Sequence, residues 1–352
     1  MSLVGFRQTL LDRRTGSRGP DDMPLLHCMI VRTISHFLKP RRARRDWRAV
    51  IPAPLQRAET LNVMRQIVHP GTPEPERAKI LPVQAEHLAT ALEPGCTLLE
   101  ALVGLLSARG TTSAALRLSG GAFKPFSYVM PAASPDDAHV AWFSDRFEVP
   151  EGVRFVEGSV TFGLRNGDPW LHCHAVWIEP GGRRRCGHLL PDEVVIAEPI
   201  QVSGCLIRGA AFVVVTDPES HFTLFEPRMQ PAAATVPTGG ARVEALAVRL
   251  RPNVDVCTAL EQICAEHGYT RAVVQGGVGS VIGTVFDDGR RVLPLATEMM
   301  IRDGRIEPDE AGTLRATLDV ALVDDTEAVS EGRLKRGDNP VLITFELVLV
   351  PV

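Results

Sequence analysis

His172-Cys173-His174 and, further along the chain, His188 are the side chains whose types and spacing best suit chemistry. The stretch from Trp170 to Ile178 has strand character. Side chains alternate across a strand, so His172 and His174 project from one face and Cys173 from the other. Gly181-Gly182 offers a tight turn that brings His188 onto the neighbouring strand, within reach of the same point. Three neutral imidazoles can bind a divalent ion, zinc first among them, at about 2.0–2.1 Å. They leave an open position, the pattern of catalytic or ligand-binding sites. With ten histidines in 352 residues, a chance His-x-His pair is expected roughly 0.3 times, so the pair gains weight mainly from His188. The same residues also fit partly buried sheet histidines satisfied by backbone carbonyls. A cysteine–histidine nucleophile ranks lower, because alternation turns Cys173 away.

A second candidate is the strand end Ser119-Gly120-Gly121, whose glycines allow close backbone approach to a ligand and expose amide donors. Lys124 stands near enough to hold a small anion, or is simply a solvated lysine after a tight turn. Arg183-Arg184-Arg185 reads as an exposed hairpin turn or a small anion contact. Gly276-Gly277-Val278-Gly279 lacks the helix and acidic residue of a dinucleotide fingerprint.

These candidates sit in a recurring order of elements. A strand over 87–92 leads through Pro94-Gly95 to a capping box, Thr97 with Glu100. A helix with Leu98, Leu99, Leu102, Leu105 and Leu106 on its apolar side follows, stopped at Gly110. Strands are expected at 114–118, 152–164, 170–178, 194–208 and 210–216. The order returns after 230–240, which reads as a linker. A strand spans 243–250, Asp255 caps a helix bearing Val256, Leu260, Ile263 and Cys264, and Gly268 ends it. Gln275-Gly276-Gly277 matches Ser119-Gly120-Gly121, Gly304 matches Gly158, and Gly332 matches Gly187. The match predicts two tandem copies of one α+β module. Thr317, Asp319 and Arg333 then fall opposite His172, His174 and His188, so the second copy cannot bind a metal in the same way.

A formal net charge of −4 argues against whole-surface affinity for nucleic acid. Seven scattered cysteines, with no CxxC pair and no secretory signal, point to a reducing, cytoplasmic compartment without a disulfide framework. The apolar stretch from Met23 to Leu38 is too short and polar to span a membrane. Residues 1–81 carry the basic run Lys39 to Arg45 and several prolines, and are expected to form a poorly ordered extension. That run reads as a nucleic-acid-binding arm or as a solvated stretch, with Met64 an alternative start.

Leu92-Glu93-Pro94-Gly95, the strand end at Gly120-Gly121, His172-x-His174-Ala175 and Gly187-His188-Leu189-Leu190 together resemble the plants-and-prokaryotes-conserved (PPC) domain. The resemblance covers 82–229 as one copy and 241–352 as a diverged second. It implies mainly antiparallel sheets with flanking helices, assembling as a homotrimer with the histidines near a subunit boundary. Plant relatives pair the domain with AT-hooks, and this chain lacks the Arg-Gly-Arg-Pro core that such a hook needs. The leading expectation is a protein holding a metal through His172, His174 and His188. A small anionic ligand would be cradled by Ser119, Gly120, Gly121 and Lys124. As an enzyme it would be a metal-dependent hydrolase or lyase, using activated water on a small carboxylate or lactone. The competing expectation is a DNA-associated regulator acting through its basic arm.

Overall fold

The computed structural model describes residues 65–230 and 241–352. The basic run at 39–45 and the expected linker beyond Gln230 lie outside them. The first half comprises β1 (Ala78–Leu92), α1 (Leu98–Ala108), β2 (Ala114–Ser119), β3 (Ala122–Phe123), β4 (Phe126–Val129), β5 (Pro131–Ala132), β6 (Trp142–Phe143), β7 (Phe147–Val149), β8 (Val153–Arg165), β9 (Asp168–Ile178), β10 (Arg184–Leu189), β11 (Ile196–Glu198), β12 (Ile200–Arg208), β13 (Ala210–Thr216) and β14 (Thr223–Met229). The second comprises β15 (Arg242–Leu250), α2 (Val256–Glu266), β16 (Ala272–Val285), β17 (Arg291–Pro308), β18 (Leu314–Asp324), β19 (Val329–Arg333) and β20 (Val341–Pro351). With one helix in each half among the described residues, sheet dominates the expected α+β composition.

The pairing order is the same in both halves. In the first it runs β1, β12, β2, β8, β9, β10, each neighbour antiparallel. In the second it runs β15, β20, β16, β17, β18, β19, again antiparallel throughout. In each, the helix lies between the first strand and the third of that order. The halves are not separate sheets. Residues 84–92 of β1 pair with β12, while residues 78–86 pair with β15, so one strand carries the ladder across.

That strand starts earlier than expected, inside the stretch read from the sequence as extension. Residues 65–77 are held on the second half as well. Ile67 exchanges two 2.8 Å hydrogen bonds with the Asn253 side chain, and His69 Nε2 donates to the Leu342 carbonyl at 2.7 Å. Prolines bar a regular ladder here, so side-chain partners take its place.

The helix starts follow their sequence signals. Glu100 N donates to Thr97 Oγ1 at 3.2 Å and Thr97 N to the Glu100 carboxylate at 2.9 Å. Asp255 caps α2 by accepting from Thr258 N at 2.9 Å. Leu98, Leu102 and Leu106 of α1 are fully buried in the first-half core, each worth about 1.5–3 kcal/mol of burial. Leu171, Cys173, Ala175 and Trp177 of β9 enter that same core, where Trp177 packs on Phe126 and Tyr128 with ring centroids 4.8 and 4.6 Å away. Alternation then leaves His172 and His174 on the opposite face, toward the second half.

Candidate metal centre

Strand pairing assembles the histidines. His174 sits directly across from His188 on β10, and His172 lies two residues before it on β9. The three ring centroids are 4.6, 5.0 and 5.3 Å apart. One nitrogen from each ring lies within 4.8 Å of the others, a group able to hold a metal ion.

The second half supplies the surroundings. His172 Nδ1 donates to Glu346 Oε2 at 2.9 Å, and His174 Nδ1 donates to the Met299 carbonyl at 3.0 Å. A carbonyl only accepts, so the His174 proton is on Nδ1 and its Nε2 presents a lone pair. Glu346 sets the same tautomer for His172. Their Nε2 atoms then face each other at 3.1 Å, and only a proton or a cation between them relieves that contact. Two nitrogens of a tetrahedral zinc site with bonds of 2.0–2.1 Å stand about 3.3 Å apart. Burial, with the neighbouring imidazoles, holds His174 and His188 well below the ordinary imidazole range, leaving them in the neutral, ligating form. Glu298 adds an oxygen, its Oε1 lying 3.8 Å from His174 Nε2 and 4.0 Å from His188 Nδ1. Both His188 Nδ1 and Glu298 Oε2 are buried without a hydrogen-bond partner among the described residues, and burial pushes the Glu298 carboxyl up to about 8. A cation here would reverse that shift. The donor set fits a divalent ion: three imidazole nitrogens, a nearby carboxylate, and the outer nitrogens of His172 and His174 tied to protein acceptors.

Outer-shell acceptors of this kind typically contribute 10–100-fold to metal affinity. Glu346→Gln keeps the shape and one acceptor oxygen but removes the charge. It is expected to weaken zinc binding about tenfold in a competition titration against a chelator, with the fold unchanged by circular dichroism.

Cys173 and Cys186 do not join the site. Both are fully buried and burial pushes both thiols up, so neither is a poised nucleophile. The expected ligand loop also lies elsewhere. Ser119, Gly120, Gly121 and Lys124 are absent from the cavity beside the histidines. Gly120 and Gly121 have left-handed φ of 69° and 79°, and a Cβ on Gly121 would meet the Pro199 carbonyl at 2.3 Å. Those glycines therefore serve the turn into β3 and its packing on β11–β12. Arg183, Arg184 and Arg185 are engaged by Glu327 and Glu331 of the second half.

In the second half, the rung equivalent to Ser159–His174–His188 is Asp303–Asp319–Arg333. Gly158 precedes Ser159 whereas Gly304 follows Asp303, so these glycines do not share a rung; a bulge between Ile301 and Asp303 shifts the register. Asp319 is taken by Arg302, whose Nη2 donates to both of its oxygens at 3.0 and 2.9 Å.

The sequence reading missed Glu298 and Glu346. Each is a lone carboxylate in an apolar strand, Ala296 to Ile301 and Val341 to Val350, and a buried acid in such a run signals a partner.

No protein-family model matches the chain, and no curated protein does. Among solved structures, part of the chain is similar to a plant- and prokaryote-conserved (PPC) protein of Pyrococcus horikoshii, at 13% identity over 42% of this chain and 94% of that one, TM-score 0.34. A metal-containing protein of Archaeoglobus fulgidus aligns at 18% identity over 40% and 93%, TM-score 0.33. A candidate DNA-binding protein of Ralstonia eutropha aligns at 17% identity over 39% and 89%, TM-score 0.30. No helix among the described residues is long and apolar enough to cross a membrane.

Proposed function

We propose that this chain is a metal-binding protein of the open-site kind, holding one divalent ion, zinc by preference, through His172, His174 and His188. The single observation that carries the reading is the pair of Nε2 atoms meeting at 3.1 Å while the Nδ1 of each ring faces a protein acceptor. When bound, such an ion polarises a carbonyl and acidifies water. The residues around it suit hydrolysis or lyase chemistry. Glu298 Oε2, buried and unpartnered, is placed to hold or move a proton beside His174 and His188.

In this reading the two halves are two copies of one PPC-like module, supported by their common pairing order. The second copy has exchanged its histidines for the Asp319–Arg302 ion pair and lends Glu298 and Glu346 to the first copy's site. The six cysteines of the described residues are all free, in keeping with a reducing, cytoplasmic setting.

Elemental analysis of the purified full-length chain tests the reading. About one equivalent of metal per chain is expected, directly or after zinc reconstitution and desalting. A chain that retains none after reconstitution overturns it.

A further inference from the structure

The cavity beside the histidines has a chemical character that the histidines alone do not announce. Its volume is about 70 Å³ and its walls are carbon: Trp142, Phe143, Phe222 and Leu224 from the first half, Ala296 and Leu342 from the second. No lysine or arginine among the described residues lines it. Its hydroxyls each have a protein partner. Thr297 Oγ1 donates to the Val281 carbonyl at 2.8 Å, Ser280 Oγ accepts from Ile343 N at 3.0 Å, and Thr344 Oγ1 accepts from Arg249 Nε at 3.3 Å. The walls themselves offer a multiply charged anion such as phosphate no counter-charge, so any hold on it falls to the ion at the histidines alone.

The aromatic wall runs unbroken from solvent to the ligating imidazoles. Trp142 and Phe143 lie on β6, which pairs with β5 in a two-stranded ribbon outside the main sheet. They are 38% and 37% exposed, large apolar side chains standing in water at the mouth. Trp142 packs on Phe222 at 5.2 Å, and Phe143 meets His188 edge-on at 5.3 Å. An apolar guest would cover this surface at one end and meet His172, His174, His188 and Glu298 at the other. Few convergent polar groups at the end of an apolar pocket are the general form of a small-molecule site.

We infer that the site takes a small organic molecule with one oxygen-bearing head directed at the histidines and an apolar body, aromatic or branched, of which roughly three carbons fill the cavity and the rest lies against Trp142 and Phe143 at its mouth. This rests on the metal reading of the same site. It narrows the expected small anionic ligand to one whose affinity comes from its carbon body, with Trp142, Phe143, Phe222 and Leu224 selecting that body.

The test uses full-length protein loaded with cobalt(II), whose visible spectrum reports both metal uptake and occupancy of the open position. Benzohydroxamate and acetohydroxamate share a metal-binding head and differ in the body. Benzohydroxamate is expected to bind roughly tenfold or more tightly, as the extra buried carbon area requires. Leu224→Ala is expected to cut that preference at least threefold while leaving acetohydroxamate affinity and cobalt uptake unchanged, which removes any difference between the two heads. Equal affinity for the two hydroxamates, or a preference untouched by Leu224→Ala, overturns the inference while the metal reading stands. Failure to take up cobalt overturns the metal reading and this inference with it.

Discussion

The His172→Ala/His174→Ala chain should emerge from zinc reconstitution and desalting essentially free of metal, beside a parent chain carrying about one equivalent. Loss of an outer-shell partner weakens metal sites by 10–100-fold, so loss of two direct ligands should exceed about 100-fold. The expected result reaches beyond stoichiometry, because the site spans β9 and β10 of the first half and Glu298, Met299 and Glu346 of the second. An ion bound only by the folded chain stabilises it by mass action, about 2.7 kcal/mol at free ion 100 times the Kd. For a chain of this size that is on the order of 5 °C in melting temperature. Chelation should therefore lower the melting temperature of the parent chain and leave that of the double variant unchanged. Equal metal content in the two proteins would place the ion elsewhere and sink the assignment.

Much of this site was readable from side-chain periodicity. His172 and His174 share a face because strands alternate, and His188 returns because Gly181 and Gly182 take left-handed φ of 92° and 89° in the turn. The capping box at Thr97 and the helix stops at Gly110 and Gly268 are local signals, and each helix follows them closely. What local pattern cannot carry is which strand of one half faces which of the other. Glu298 and Glu346 reach the histidines only because β17 and β20 pack against β9, across sequence separations no periodicity spans. The Ser119-Gly120-Gly121 loop shows the converse. Its glycines read as a ligand cradle, but what approaches Gly121 is the carbonyl of Pro199 in the same half. The strand start at Ala78 was hidden for a related reason: residues 78–81 pair with β15, and that ladder exists only once both halves are folded.

Arg249→Met should destabilise the chain by about 3–5 kcal/mol, the range expected when one member of a buried ion-pair cluster is removed. Arg249 is fully buried and lies between Asp217 Oδ1 at 2.7 Å and Glu226 Oε2 at 3.3 Å. Arg251 reaches the same two carboxylates at 3.0 and 3.1 Å. Half-exposed Arg228 also reaches Glu226 Oε1 at 3.3 Å from the outside of the cluster, and Ser220 completes Asp217 through its N at 2.9 Å and its hydroxyl at 2.6 Å. Its acids belong to β14 and the β13–β14 turn, and its arginines to β15 and the residue just after it, so it fastens one half to the other. Methionine fills the space but leaves Arg251 as the one buried guanidinium for both carboxylates, with half-exposed Arg228 on Glu226 alone. The pH dependence follows from Asp217. Burial alone would raise its carboxyl, but Arg249 and the Ser220 bonds overcome that and hold it below the usual range. A depressed carboxyl contributes stability that is full above its unfolded value, about 3.9, and is lost as the pH falls through its folded value. In the variant the Arg249 charge no longer opposes burial, and only the Ser220 bonds and Arg251 still hold the acid down. The stability gap, measured by urea unfolding, should thus be widest near neutrality and narrow below about pH 4. A gap that stays constant across that range would mean that methionine acts through packing alone, with the buried charges contributing nothing to the join between the halves.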